Sequence, residues 1–462
     1  MATRVSTRSA GFRCAECGWS AVKWVGRCGE CQAWGSVTEV GAVSARTSAA
    51  RVVERPAVPI GEVDVRRAEA CSTGVAEFDR VLGGGIVPGG VVLVAGEPGI
   101  GKSTLLLDVA ARAARSGVGG AERRVLYVTG EESTAQVRSR AERIEAMART
   151  LYLAAETDLS TVLGQVERLS PELLVVDSVQ TLSSGEVEGS AGNVTQVREV
   201  AASLIAVAKA RGMAVLLVGH VTKDGSIAGP RVLEHLVDVV VQFEGDRHSR
   251  LRLVRAVKNR YGPTDEVGCF DLSDVGIVGL SDPSALFLSH RTATVPGTCV
   301  TVTLEGRRPL VTEVQALVAT SSLPSPRRAT SGLDAARVAM ILAVLDRRAG
   351  APVGGKDAYL STVGGVRLGE PAADLSIALA LASAITDRPV RPGTIAFGEV
   401  GLAGEVRPVT GAHRRLAEVS RLGFTAAVVP PGVLGAGPVP DDLRVQEAAT
   451  VLEAVTGALL PA

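Results

Sequence analysis

Nine consecutive residues, GEPGIGKST at 96–104, carry the most definite chemistry in the chain: they match the G-x-x-x-x-G-K-[ST] spacing that cradles nucleotide phosphates. Gly96, Glu97, Pro98, Gly99, Ile100 and Gly101 form the loop, where glycines let backbone N–H groups curl around phosphate oxygens. Lys102 would reach the β- and γ-phosphates of ATP and Ser103 would hold Mg²⁺, with Thr104 closing the motif. Hydrolysis further requires an acid on a neighbouring buried strand and a group that orients water. Asp177, at the end of LLVVD, stands where Mg²⁺ would be organised. Glu131, just past the strand VLYV, is the candidate for the water, and Glu132 beside it reads as a carboxylate favoured by a helix N-terminus.

A second chemistry sits near the start of the chain. Cys14, Cys17, Cys28 and Cys31 form two C-x-x-C pairs, the donor set of a closed structural Zn²⁺ site. Four sulfurs leave no open position, so such a site folds and presents a module rather than catalysing. Cys71, Cys269 and Cys299 are scattered, and an odd total of seven suits reduced thiols better than a disulfide framework. Residues 1–55 hold eight basic and four acidic residues, a surplus that suits nucleic acid or a merely solvated surface. A third sequence, Lys258-Asn259-Arg260-Tyr261-Gly262, reads by itself as a surface turn bearing two cations.

These groups need a scaffold. The runs VVLVA, VLYV, LLVVD, AVLLVGH and VDVVVQF alternate with Ala/Leu/Arg-rich helical stretches between about 70 and 285. Continuous apolar strands separated by helices predict an α/β domain with a mostly parallel sheet covered on both faces. The phosphate loop falls between the first of these strands and the helix LLLDVAARAA, whose positive end faces the same anion. Small and polar residues at 41–60, with prolines at 56 and 59, make 41–68 a linker behind a 1–40 cysteine module, and SSLPSPRRATSGL at 321–333 reads as a connector. The expected domains are therefore 1–40, an ATPase domain at 69–285 and a C-terminal α/β domain at 286–462. In the last, DAARVAMILAVLDRRAG and ADLSIALALASAIT read as helices.

Composition limits the rest. Apolar residues are 46% and charged residues 21% of 462, a globular mixture. Lys+Arg and Asp+Glu are both 49, so nucleic acid could be held only through local patches. At 3%, aromatics argue against a surface built mainly on stacking platforms. There is no apolar run of membrane-spanning length and no secretory apolar core at the N-terminus, so the expectation is a cytoplasmic protein without a membrane partner.

Taken together, the cysteine module, the phosphate-loop core and the K-N-R-aromatic-G motif resemble the bacterial RadA (Sms) family of DNA-repair proteins, along essentially the whole chain. Tyr261 stands where that family usually has Phe. The resemblance implies a RecA-like ATPase core, a four-cysteine zinc finger and a degenerate Lon-protease-like C-terminal domain. It also implies a DNA-dependent, helicase-like ATPase that binds single-stranded DNA and branched recombination intermediates, drives branch migration, forms hexameric rings and works with the RecA recombinase. By the same resemblance His220 senses the γ-phosphate, while Lys258 and Arg260 act in trans on a neighbour's ATP. The segments 183–196 and 222–235 look like DNA-facing loops, with Lys223 and Arg231 as phosphate contacts, although an ordinary connector remains open for each.

Lon-type peptidases use a Ser–Lys dyad. Ser376 lies near the nucleophile position, but His413 stands for the lysine, and Asp374 and Leu375 replace the preceding glycine and proline. A domain kept for assembly and DNA contact is the better reading, with Lys356, Arg414 and Arg415 as its candidate cations. An ATP-dependent protease and an ATP-switched scaffold are the competing functions.

Overall fold

The computed structural model describes residues 11–40, 57–62, 69–116, 122–220, 230–245, 250–286, 295–322, 324–363 and 366–461. Two compact units divide after Asp64. The first is a three-stranded antiparallel sheet, with β1 (Gly11–Cys14) between β2 (Ser20–Ala21) and β3 (Val37–Val40). Its small core is Cys14, Cys28 and Val37, against which Phe12, Trp19 and Val25 pack.

The second unit begins with α1 (Ala76–Leu82), followed by β4 (Val91–Gly96), α2 (Lys102–Arg115), β5 (Val125–Thr129), α3 (Thr134–Arg143), β6 (Leu151–Ala155), α4 (Leu159–Leu169) and β7 (Leu173–Asp177). Then come α5 (Val194–Arg211), β8 (Ala214–His220), α6 (Pro230–Glu234), β9 (Val239–Glu244), β10 (Leu251–Asn259), β11 (Val267–Ser273) and β12 (Gly276–Gly279). The strands make one sheet in the order β12-β11-β10-β9-β4-β8-β7-β5-β6. From β9 to β6 all pairings are parallel, while β10, β11 and β12 extend the sheet antiparallel.

Side chains alternate across this sheet as the two-residue strand period requires. Val92 and Val94 face a core with α1, α2 and α3, whereas Val91 and Leu93 face a second core with α4, α5 and α6. Both faces are covered, which explains the unbroken apolar runs.

The chain continues as β13 (Thr298–Glu305), β14 (Arg308–Thr320), β15 (Arg328–Ser331), α7 (Ala335–Arg348), β16 (Lys356–Thr362) and α8 (Asp374–Thr386). It ends with β17 (Thr394–Ala396), β18 (Glu399–Val400), β19 (Val406–Arg407), α9 (Ala412–Arg421), β20 (Ala426–Val429), β21 (Arg444–Glu447) and α10 (Val451–Ala458). Seven strands form a mixed sheet, β15-β16-β14-β13-β17-β20-β21. The stretch 321–333 is thus more than a connector, because β15 inside it pairs parallel with β16. Leu251, Val267 and Cys269 of the first sheet share a core with α7 and α8. Glu77 of α1 is ion-paired with Arg308 of β14, and both are buried. No helix among the described residues is long and apolar enough to cross a membrane.

Candidate functional site

Strand order assembles the site. Gly96 is in register with His220 on β8, and Thr129 with Asp177 on β7. Because β4, β8, β7 and β5 are adjacent and parallel, their carboxyl ends set the phosphate loop, His220, Asp177 and Glu131 along one edge of the sheet. That edge is where open α/β sheets bind ligands. Gly99 and Gly101 take positive φ, +76° and +112°, to turn the loop into α2. At Gly101 a side chain would also strike Ile277, with a Cβ 2.6 Å from its Cδ1.

Lys102 is 3% exposed, and its ammonium donates to the carbonyls of Gly96 and Glu97, each at 2.8 Å. Burial lowers its pKa from 10.5 to about 8, against the opposing pull of Asp177, Glu131 and Glu97. Ser103 lies in the first turn of α2. Its hydroxyl and the Asp177 carboxylate are hard oxygen donors, the kind Mg²⁺ takes. Glu131 accepts from the Ser178 hydroxyl at 3.2 Å and lies 3.3 Å from Nε2 of His220. Glu132 is instead ion-paired with Arg140 of α3.

Two neighbours of this site escaped the sequence reading. The Tyr127 hydroxyl donates to Asp177 at 2.6 Å, although within VLYV the ring reads simply as core. Arg252 is 5% exposed and donates from Nε to the Ile100 carbonyl at 3.1 Å, bracing the loop from β10. The run LRLVRAVKN carries three cations, so nothing in its letters marks Arg252 from Arg255 and Lys258.

Lys258 and Arg260 lie elsewhere. Lys258 is the penultimate residue of β10 rather than part of a loose turn, and its ammonium caps the carbonyls of Glu234 and Val237 at 2.7 and 2.8 Å. Burial, then Arg260, hold its pKa below the ordinary lysine value. Arg260 pairs with Asp238 at 3.3 Å, and the Arg260 N–H donates to the Asp238 carbonyl at 3.2 Å. Asp238 also accepts from the Val91 N–H at 3.0 Å and from Lys209 at 2.6 Å. Burial alone would raise the Asp238 carboxyl, but Lys209 and the Val91 N–H bring it below the usual range. Val91 opens β4 and Gly96 ends it, so these cations stand about 16 Å along the strand from their own phosphate loop. Gly262 completes the motif by packing on Gly83, where an added Cβ would come within 3.1 Å of the Gly83 Cα.

In the first unit all four cysteine sulfurs lie within 4.8 Å of one another, with Cys14–Cys31 at 3.6 Å and Cys17–Cys28 at 3.5 Å. Zn–S bonds of about 2.3 Å set tetrahedral sulfurs about 3.8 Å apart, so the four thiols fit zinc.

Of the proposed DNA contacts, Lys223 and the side chain of Arg231 lie outside the described residues. The loop at 183–193 is pinned by Gln196, whose amide donates to the carbonyls of Ser184, Val187 and Gly189 at 3.1, 2.7 and 3.1 Å. In the C-terminal domain Arg414 is exposed and Lys356 half-buried. Arg415 is a correction: it is fully buried, with its guanidinium held by Glu370, the Val302 carbonyl and the Thr410 carbonyl, and so cannot meet DNA. Ser376 is likewise fully buried in α8, donating to the Ala373 carbonyl at 2.7 Å, while Nδ1 of His413 faces the Pro438 carbonyl at 3.2 Å.

An AAA domain family matches residues 67–226, a rubredoxin metal binding domain matches 12–39, and subunit ChlI of Mg-chelatase matches 366–432. The DNA repair protein RadA of Mycobacterium tuberculosis is 56% identical over 449 residues, covering 96% of this chain and 92% of the relative. RadA of Mycolicibacterium smegmatis is 56% identical over 454 residues, 96% of each chain. RadA of Streptococcus pyogenes serotype M6 is 44% identical over 451 residues, 97% of this chain and 98% of the relative. With this identity along nearly its whole length, and with the phosphate loop and cysteine cluster in place, the chain belongs to the RadA family of DNA repair proteins.

Proposed function

We propose that this protein is a DNA-dependent ATPase of recombinational repair, a ring-forming motor that acts on single-stranded DNA at branched intermediates. One relationship carries the reading. Arg260 and Lys258 stand at the amino edge of the parallel strands while the phosphate loop stands at the carboxyl edge, too far apart to serve one nucleotide. Cations so placed suit an interface at which each subunit completes its neighbour's site.

At each such site Lys102 exchanges the Gly96 and Glu97 carbonyls for phosphate oxygens, and α2 presents its N–H groups to the same charge. Ser103 and Asp177 would hold Mg²⁺, which would supply neutralising charge for the transferred phosphoryl group. Glu131 orients the attacking water, and His220 links it to the γ-phosphate position. The loops at 183–196 and 222–235 touch DNA, the second through Lys223 and Arg231. The Lon-like C-terminal domain supports assembly, because Ser376 has no free hydroxyl to attack with. RecA is the recombinase whose intermediates such a motor would process.

The test mixes two inactive proteins, Arg260→Ala and Lys102→Ala. Mixed rings contain some interfaces with an intact phosphate loop from the first variant and an intact Arg260 from the second. Those interfaces recover part of the DNA-stimulated hydrolysis. No recovery in rings shown to be mixed defeats the trans assignment.

A further inference from the structure

The chain has only three tryptophans, Trp19, Trp24 and Trp34, and all three lie in the four-cysteine module. Trp19 has a structural role: it packs on the module's core and fills the space over Gly29, where a Cβ would meet its ring at 2.8 Å. The other two do not, being 63% and 77% exposed. Both rings border Gly26, whose added Cβ would lie 3.7 Å from Trp24 and 3.9 Å from Trp34, so no side chain rises between them. Arg27 lies over the Trp34 ring, 5.6 Å from its centroid, and is anchored by its Nε donating to the Gln32 carbonyl at 2.9 Å. Lys23 precedes Trp24, and neither VKWVGR (22–27) nor AWG (33–35) contains a carboxylate.

Two exposed indoles interleaved with two cations fit a strand that offers flat apolar faces and negative charge together. An apolar peptide would cover the rings but leave Lys23 and Arg27 desolvated without an anion, whereas phosphates supply one. The scarcity of aromatics therefore holds for the surface as a whole, and the few exposed indoles are gathered here. We propose that Trp24 and Trp34 form a stacking platform for unpaired bases of single-stranded DNA, with Lys23 and Arg27 meeting the adjoining phosphates. The proposal rests on the DNA-dependent reading above and assigns the cysteine module a direct share in it.

Since no tryptophan lies elsewhere, fluorescence of the intact protein excited selectively at tryptophan reports this module alone. Titration with oligothymidylate should quench the emission along a saturable curve. Trp24→Ala and Trp34→Ala should each weaken oligothymidylate binding about 5- to 150-fold, the range for stacking one base on an aromatic ring, while keeping one zinc per chain. Trp24→Phe and Trp34→Phe, which keep a ring, should restore most of the affinity. DNA-stimulated hydrolysis with unaltered emission and undiminished affinity in the alanine variants overturns the platform and leaves the motor reading standing. Absence of both DNA binding and DNA stimulation overturns the two together. Quenching by a purified recombinase but not by oligothymidylate makes the patch a protein-docking face, and also overturns the proposal.

Discussion

Nε2 of His220 and a carboxylate oxygen of Glu131 meet at 3.3 Å, although β7 separates their strands. Ser178, the residue after Asp177, donates to the same carboxylate oxygen. Glu131 is thus held by groups at the carboxyl ends of β7 and β8, apart from the Gly96 and Glu97 carbonyls that hold Lys102.

That separation predicts different losses at different residues. Glu131→Gln should keep ATP bound while turnover falls by about 10²–10⁴, the usual contribution of a positioned base. Lys102→Ala should lose both affinity and turnover. Equilibrium nucleotide binding measured beside steady-state hydrolysis distinguishes them, and normal hydrolysis by Lys102→Ala would falsify the site.

Lys102 also predicts a pH dependence. With its pKa lowered to about 8 by burial, it is half deprotonated near that pH in the free protein and mostly neutral above it. Bound phosphates favour the charged form, so nucleotide affinity should be flat below about pH 8 and decline as pH rises beyond it. Calorimetry in buffers of different ionisation enthalpy should detect proton uptake on ADP binding at alkaline pH and almost none at neutral pH. The unfolded chain binds more protons between about 8 and 10.5, so the cost of burying the charged ammonium is relieved, and stability rises, across that window.

The metal prediction follows from the division after Asp64. One zinc should copurify with each chain, and Cys28→Ser should release it and unfold the first unit. Nucleotide binding should persist, because every residue of the phosphate site lies in the second unit. Elemental analysis paired with a nucleotide titration checks both halves.

Arg415 and Glu370 should matter for stability. Removing one partner of a buried ion pair costs about 3–5 kcal/mol, so Arg415→Leu and Glu370→Gln should each lower the denaturation midpoint markedly. Burial alone would raise the Glu370 carboxyl, but Arg415 holds it below the ordinary value. This contribution is present above the ordinary glutamate pKa of 4.5 and is lost as pH falls through the lowered one. Equal midpoints for wild type and variants would return Arg415 to the surface.

What the sequence determined by itself is local: the phosphate loop, the paired cysteines, and helices α7 and α8 each occupy one continuous stretch whose spacing carries the meaning. Tertiary structure decided what spacing cannot express. Arg414 and Arg415 are indistinguishable as letters, yet one helical step of about 100° turns the first to solvent and the second onto Glu370. Tyr127 reads as core because an apolar strand hides its hydroxyl, and only the pairing of β5 with β7 brings it to Asp177. Arg260 likewise reads as decoration until the antiparallel return of β10 carries it to the edge opposite its own phosphate loop. Periodicity reports that a face is buried, whereas strand order and direction decide which residues share an edge.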